Sequence, residues 1–121
     1  MNNRKENNFV REVLYYKDYY LSFFKDLKPE VKRKINWTIQ LICTLERIPV
    51  RYFKSVSSMH GIFEIRIEVG TDIFRVFCCF DKGNLIILMN GFQKKSQKTP
   101  LREIKFAEKI KKQYFEEKEK K

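Results

Sequence analysis

The chain is 121 residues long and carries 26 Lys plus Arg against 15 Asp plus Glu, a formal charge of +11. That length suits one domain with a modest core and leaves no room for two, and the 43% apolar and 15% aromatic content excludes a disordered polybasic chain. No apolar run reaches the roughly 18 residues needed to span a bilayer, and the polar start from Met1 to Asn8 is unlike a signal peptide, so a cytoplasmic protein is expected.

Residues 1–8 are polar and are expected to be disordered, ahead of a single domain over residues 9–115. Phe9 to Tyr16 is rich in β-branched and aromatic residues and fits a first strand. Asp18 is placed to cap a short helix over Tyr19 to Lys25, with Tyr20, Phe23 and Phe24 at helical spacing. Pro29 suits the first turn of a second helix, where its missing N–H is no loss. In that helix Val31, Ile35, Thr38, Ile42 and Leu45 recur every three to four residues, Trp37 and Leu41 widen the apolar stripe, and Pro49 bars continuation.

Three strand-like runs follow. Ile62 to Val69 alternates, placing Phe63, Ile65, Ile67 and Val69 on one face and Glu64, Arg66 and Glu68 on the other. Ile73 to Phe80 and Leu85 to Phe92 are separated by the turn signals Gly70-Thr71-Asp72 and Asp81-Lys82-Gly83-Asn84, which predicts an antiparallel meander. The unbroken apolar run from Leu85 to Met89 predicts a central strand covered on both faces. Cys78 and Cys79 should then point one to each face; with Cys43 they make an odd count without zinc-ligand spacing, so neither a structural disulfide nor a metal site is expected.

Lys94 to Thr99 reads as a basic loop, with Thr99 placed to cap a last helix that starts at Pro100 and shows a narrow apolar face through Leu101, Ile104 and Tyr114. Residues 116–121 are expected to be a polar basic tail too hydrophilic to pack. Residues 94–121 carry +6 of the +11. Such an excess attracts polyanions and points to nucleic acid or an acidic protein as partner, although a solvated lysine-rich tail would look the same.

There is no phosphate loop, no Ser/His/Asp arrangement and no paired carboxylates beside metal-binding residues. An enzyme built from this chain must therefore work with Arg, Lys, Glu64 and the single histidine, His60, which reads as a loop residue. Cleavage of RNA by its own 2′-hydroxyl is within reach of such groups, because it needs a phosphate held in line, added negative charge stabilised and two protons moved. Arg66 and Arg75 lie on adjacent antiparallel strands and Lys94 and Lys95 leave the end of the third, so the four can converge; pairing with Glu64 or Glu68 is the structural alternative for the arginines. Phe92 is either core or a platform on which a base stacks.

Several stretches resemble the RelE/ParE toxin superfamily, in its phage-derived HigB-like branch. They are Gly61-Ile62-Phe63-Glu64-Ile65-Arg66, Ile73-Phe74-Arg75-Val76-Phe77 with Phe80 to Asn84, and Asn90-Gly91-Phe92-Gln93-Lys94-Lys95-Ser96-Gln97-Lys98-Thr99-Pro100, followed by a helix with Glu103 and Ala107. The resemblance implies an α+β fold with an N-terminal strand, two helices, an antiparallel sheet of three to four strands and a C-terminal helix. It implies the toxin of a type II toxin–antitoxin pair, a metal-independent endoribonuclease without cofactor that cleaves mRNA in the ribosomal A site. A cognate antitoxin, often a helix-turn-helix protein in this branch, the ribosome and mRNA are the implied partners, with no membrane.

Position by position, Arg75 matches the central-strand arginine of the family, Arg66 a basic position on the preceding strand, and Lys94 and Lys95 the basic pair at the end of the last strand. These four are the implied catalytic residues, with Lys98, Phe92 and Arg102 as RNA contacts. RelE has a tyrosine and some HigB proteins a histidine where this chain offers Ser96, Gln97, Lys98 and Thr99, and Glu64 stands where RelE has a lysine, so acid and base are unassigned. ParE toxins use the same scaffold against DNA gyrase. A gyrase inhibitor and a non-catalytic basic binding module are therefore the alternative readings.

Overall fold

The computed structural model describes residues 9–120. The elements run β1 (Glu12–Tyr15), α1 (Tyr19–Phe24), α2 (Pro29–Thr44), β2 (Phe53–Ser55), β3 (Phe63–Val69), β4 (Asp72–Phe80), β5 (Leu85–Lys94) and α3 (Leu101–Glu119). They build an α+β protein around one five-stranded sheet ordered β1-β5-β4-β3-β2. β5, β4, β3 and β2 are antiparallel neighbours, and β1 adds to β5 in parallel, so the sheet is mixed and wider than the three to four strands expected. β1 is shorter than the run from Phe9 to Tyr16, because the amides of Val10 and Arg11 bond to the Cys43 carbonyl instead of to a strand.

Strand alternation divides the apolar residues between two cores. Ile65, Ile67, Phe74, Val76, Cys78, Ile86 and Leu88 face α1 and α2, where they meet Tyr20, Val31, Ile35 and Ile42. Phe77, Cys79, Ile87, Met89 and Phe92 face the other way and pack with Ile104, Ala107 and Ile110 of α3. β5 lies between β1 and β4 and is covered on both sides, which its continuous apolar run required. Cys78 and Cys79 divide between the two cores as the alternation demanded.

A register shift between Val76 and Cys78 puts one extra β5 residue opposite β4. Beyond it, Gly91 faces α1 so closely that a Cβ there would lie 2.4 Å from the ring of Phe23. The shift also lets Asn90 turn towards α3, where its side-chain amide donates to both the Glu103 carbonyl and its Oε1 at 3.1 Å.

Helix ends follow a chemistry different from the expected caps. Asp18 sits at the N-cap of α1 but makes no side-chain capping bond, and α3 starts after Pro100 without help from Thr99. Pro29 does open α2. Its far end stops at Thr44, short of Pro49, because Arg11 donates to the carbonyls of Ile42, Leu45 and Glu46 at 2.7–3.0 Å. A cation there satisfies orphan acceptors and meets the negative end of the helix dipole.

The expected polar tail is instead the last turn of α3. Lys118 pairs with Asp81 at 2.6 Å and Tyr114 donates to the same carboxylate at 2.5 Å, so the turn between β4 and β5 holds it down. The expected disorder of residues 1–8 lies outside the described residues. No helix among the described residues is long and apolar enough to cross a membrane.

Candidate nucleic-acid interface

α3 packs against β5 and β4, leaving the β3 and β2 side of the same sheet face uncovered. Alternation on β3 sends Glu64 and Arg66 to that region, and β4 sends Arg75, which is buried there. The register sets Arg66 directly opposite Arg75, and Arg75 opposite Phe92 of β5. Like charges facing each other across a ladder oppose folding, so this pair is not explained by stability.

Glu64 lies between the guanidinium groups. Its Oε2 is 3.3 Å from Nε of Arg66 and 3.7 Å from Nε of Arg75, yet neither Nε–H forms a hydrogen bond, although both are buried. One carboxylate is thus shared by two cations and satisfies neither. Arg75 is only 3% exposed and donates through Nη1 to the carbonyl of Phe74 at 3.0 Å. Burial and then Arg66 lower its pKa, with Glu64 and Glu68 opposing.

Above Arg75 opens a cleft of about 320 Å³ lined by Lys54, Glu64, Arg66, Lys94 and Lys98, with Ser57, Ser58 and Thr99 supplying hydroxyls. Lys94 has its pKa lowered by burial first and by Arg75 next, with Arg66 and Lys54 adding to the effect and Glu64 opposing it. The lining is therefore four cations around one carboxylate, with a fifth cation beneath. It can hold a phosphate and spread the charge of a crowded transition state. Among the described residues no group of three His, Cys, Asp or Glu side chains is placed to hold a metal ion.

Of the residues singled out in the sequence, Arg66, Arg75, Lys94 and Lys98 come together here. Three do not. Lys95 lies outside the cleft, in an adjoining groove with Thr71, Ile73 and Lys94. Arg102 is 86% exposed on α3, with only Glu103 at 4.0 Å. Phe92 is core: it is 8% exposed and packs on Phe77 with ring centroids 5.5 Å apart, so it offers no face to a base. His60 is an exposed loop residue, whose carbonyl accepts from Lys111.

Lys54 was missed because β2 was missed. Its signal was present in Tyr52-Phe53-Lys54-Ser55-Val56, a short alternating run that pairs with β3 so that Lys54 stands opposite Glu64.

An α+β fold with an N-terminal strand, helices, a five-stranded mixed sheet and a C-terminal helix is broadly that of RelE-like proteins. A family model for phage-derived Gp49-like proteins (DUF891) matches residues 22–112. The chain belongs to that family, which is of the general RelE/HigB-like toxin kind and is associated with endoribonuclease-like toxins. No curated protein matches the chain.

Proposed function

We propose that the protein is the toxin of a type II toxin–antitoxin pair and that it cleaves translated mRNA on the ribosome. The observation that carries this reading is the row formed by Arg66 and Arg75 with Lys94 beside them, on a sheet face that α3 leaves open. Arg66 and Lys94 grip the scissile phosphate, and Lys54 and Lys98 contact its neighbours. Arg75, buried beneath, acts through its field and by orienting Glu64.

In the reaction the 2′-oxygen attacks phosphorus and the 5′-oxygen leaves. A proton departs from the first and arrives at the second. Lys94 is the proton donor of choice for the leaving oxygen, because burial and its cationic neighbours make its ammonium a better acid than a free lysine. Glu64, the carboxylate lining the cleft, takes the other proton in this reading.

A cognate antitoxin is the protein partner, and an acidic segment of it would match the charge of the cleft. Primer extension on cellular mRNA after induction tests the assignment: wild type should give cuts within translated codons and Arg66→Ala should give none. Arrest of DNA synthesis with intact mRNA would overturn it in favour of gyrase, and full toxicity of Arg66→Ala would remove the proposed site.

A further inference from the structure

The cleft does not end at Arg66. The same side chain lines a second hollow of about 350 Å³ with Lys34, Arg51, Tyr52, Glu68 and Gly70, so Arg66 is the wall between two adjoining depressions. The Arg66 amide donates to the Tyr52 carbonyl at 2.9 Å, which continues the ladder and fixes Tyr52 beside Arg66 at the sheet edge.

At that edge the ring of Tyr52 meets Trp37 of α2 at 5.6 Å and 76°. Trp37 was expected to widen the buried stripe of α2, yet it is 46% exposed, while Val31, Ile35, Thr38 and Ile42 complete the core without it. Each ring carries a cation: Lys34 Nζ is 5.0 Å from the Trp37 ring and Arg51 Cζ is 4.9 Å from that of Tyr52. Tyr52 and two cations beside Glu68 in a hollow that shares Arg66 with the basic cleft, with the exposed Trp37 ring against Tyr52 at its rim, make a combination that suits single strands, with bases stacked on the rings and phosphates on the cations. Stacking of a base is worth more than an exposed cation–π contact, so an arriving base can displace Lys34 or Arg51 towards the backbone.

We infer that the cleft is one end of a single-stranded RNA track, and that Trp37, Tyr52, Lys34 and Arg51 form a second nucleotide subsite which holds an unpaired base and its phosphate from the same strand. The inference rests on the ribonuclease reading above and extends it along the substrate.

Trp37 is the only tryptophan in the chain, so it reports on its own site. The probes are a 2′-O-methyl dinucleotide and a 2′-O-methyl strand of about six nucleotides, neither of which can be cleaved. The longer strand should quench Trp37 emission and the dinucleotide should not. Lys34→Ala with Arg51→Ala, the first half-buried and the second exposed, should weaken the longer strand about tenfold and reduce its salt dependence, without altering dinucleotide affinity. Arg66→Ala should weaken both.

If the longer strand binds and Arg66→Ala weakens it while Trp37 emission stays constant, the second subsite is wrong and the ribonuclease reading stands. If neither strand binds at low salt, or both bind with no effect of Arg66→Ala, the track and the reading beneath it fall together. Quenching by an acidic peptide but not by RNA would overturn the subsite in favour of a protein contact.

Discussion

The two halves of the sheet face that carries α3 share β4 and β5, and the basic half adds β3 and β2. On β4, Phe77 and Cys79 are sealed in the core beneath the helix, and Arg75, two residues before Phe77, is equally buried but beside Glu64 and Arg66. The apolar half gains from every side chain it buries. The basic half sets guanidinium against guanidinium with one carboxylate between them. Folding alone has no use for such a juxtaposition, whereas an incoming phosphate would relieve it. The contrast separates what the chain needs in order to fold from what the proposed function would use.

The largest effect is expected in the core beneath α1 and α2, which depends on full burial. Ile35→Asp or Ile42→Asp would place a carboxylate at a position that is 0% exposed, with no partner. Such a change should destabilise by about 4–5 kcal/mol or more and abolish soluble folded protein. Solubility and thermal unfolding of the variants check this. In the basic half the sign should be the opposite: Arg75→Met, which removes a buried cation facing another, should leave stability within about 1 kcal/mol of wild type or raise it. Loss of several kcal/mol in that variant would mean that Arg75 is structural.

Next come the effects on activity. Arg66→Ala should lower the cleavage rate by about 10²–10³-fold with little change in unfolding midpoint, as expected for loss of a donor that stabilises transition-state charge. Lys94→Arg sharpens the comparison, because it keeps the charge but replaces an ammonium whose pKa is lowered by burial and Arg75 with a group that does not release its proton. RNA affinity should persist and turnover should fall. If turnover survives in Lys94→Arg, Lys94 is a phosphate ligand and not the acid.

The apolar halves were legible in the sequence and the basic half only partly. Period-two alternation in Phe63 to Val69 and the three- to four-residue spacing from Val31 to Ile42 fix which faces are buried, because a one-residue slip would turn every apolar side chain outward. The same alternation put Arg66 and Glu64 on one face. Which cations then share a cleft depends on strand order, on the shifted register near Asn90 and on where α3 stops covering the sheet, none of which local pattern encodes. Lys94 and Lys95 are adjacent and equivalent in sequence, and only the register, in which Lys94 is the last paired residue of β5, brings Lys94 to the cleft and leaves Lys95 outside it. Phe92 carries no local mark that distinguishes a core ring from an exposed one. Trp37 failed in the opposite direction: its apolar character read as core, and the edge of the sheet leaves it open.

A more local effect concerns the far end of α3, where the comparison depends on the helix remaining on its own half. Asp81 accepts from Tyr114 at 2.5 Å and pairs with Lys118 at 2.6 Å. Lys118 first, and Tyr114 second, hold the Asp81 carboxyl below its ordinary value of 3.8. A carboxyl whose pKa is lower in the folded state binds fewer protons there than in the unfolded chain. Its stabilisation is therefore complete above the ordinary value and is lost as pH falls through the folded one. Hydrogen exchange in the last turns of α3 should quicken below about pH 4 while β4 and β5 stay protected. Tyr114→Phe should cost about 1–2 kcal/mol, since it removes a hydrogen bond to a charged acceptor and leaves the ring in place. In that variant the acid-induced fraying should begin at higher pH, because one of the two groups that hold the carboxylate ionised is gone. An unchanged acid limb in Tyr114→Phe would place the hold on the helix in its apolar contacts with β5 rather than in the Asp81 clamp.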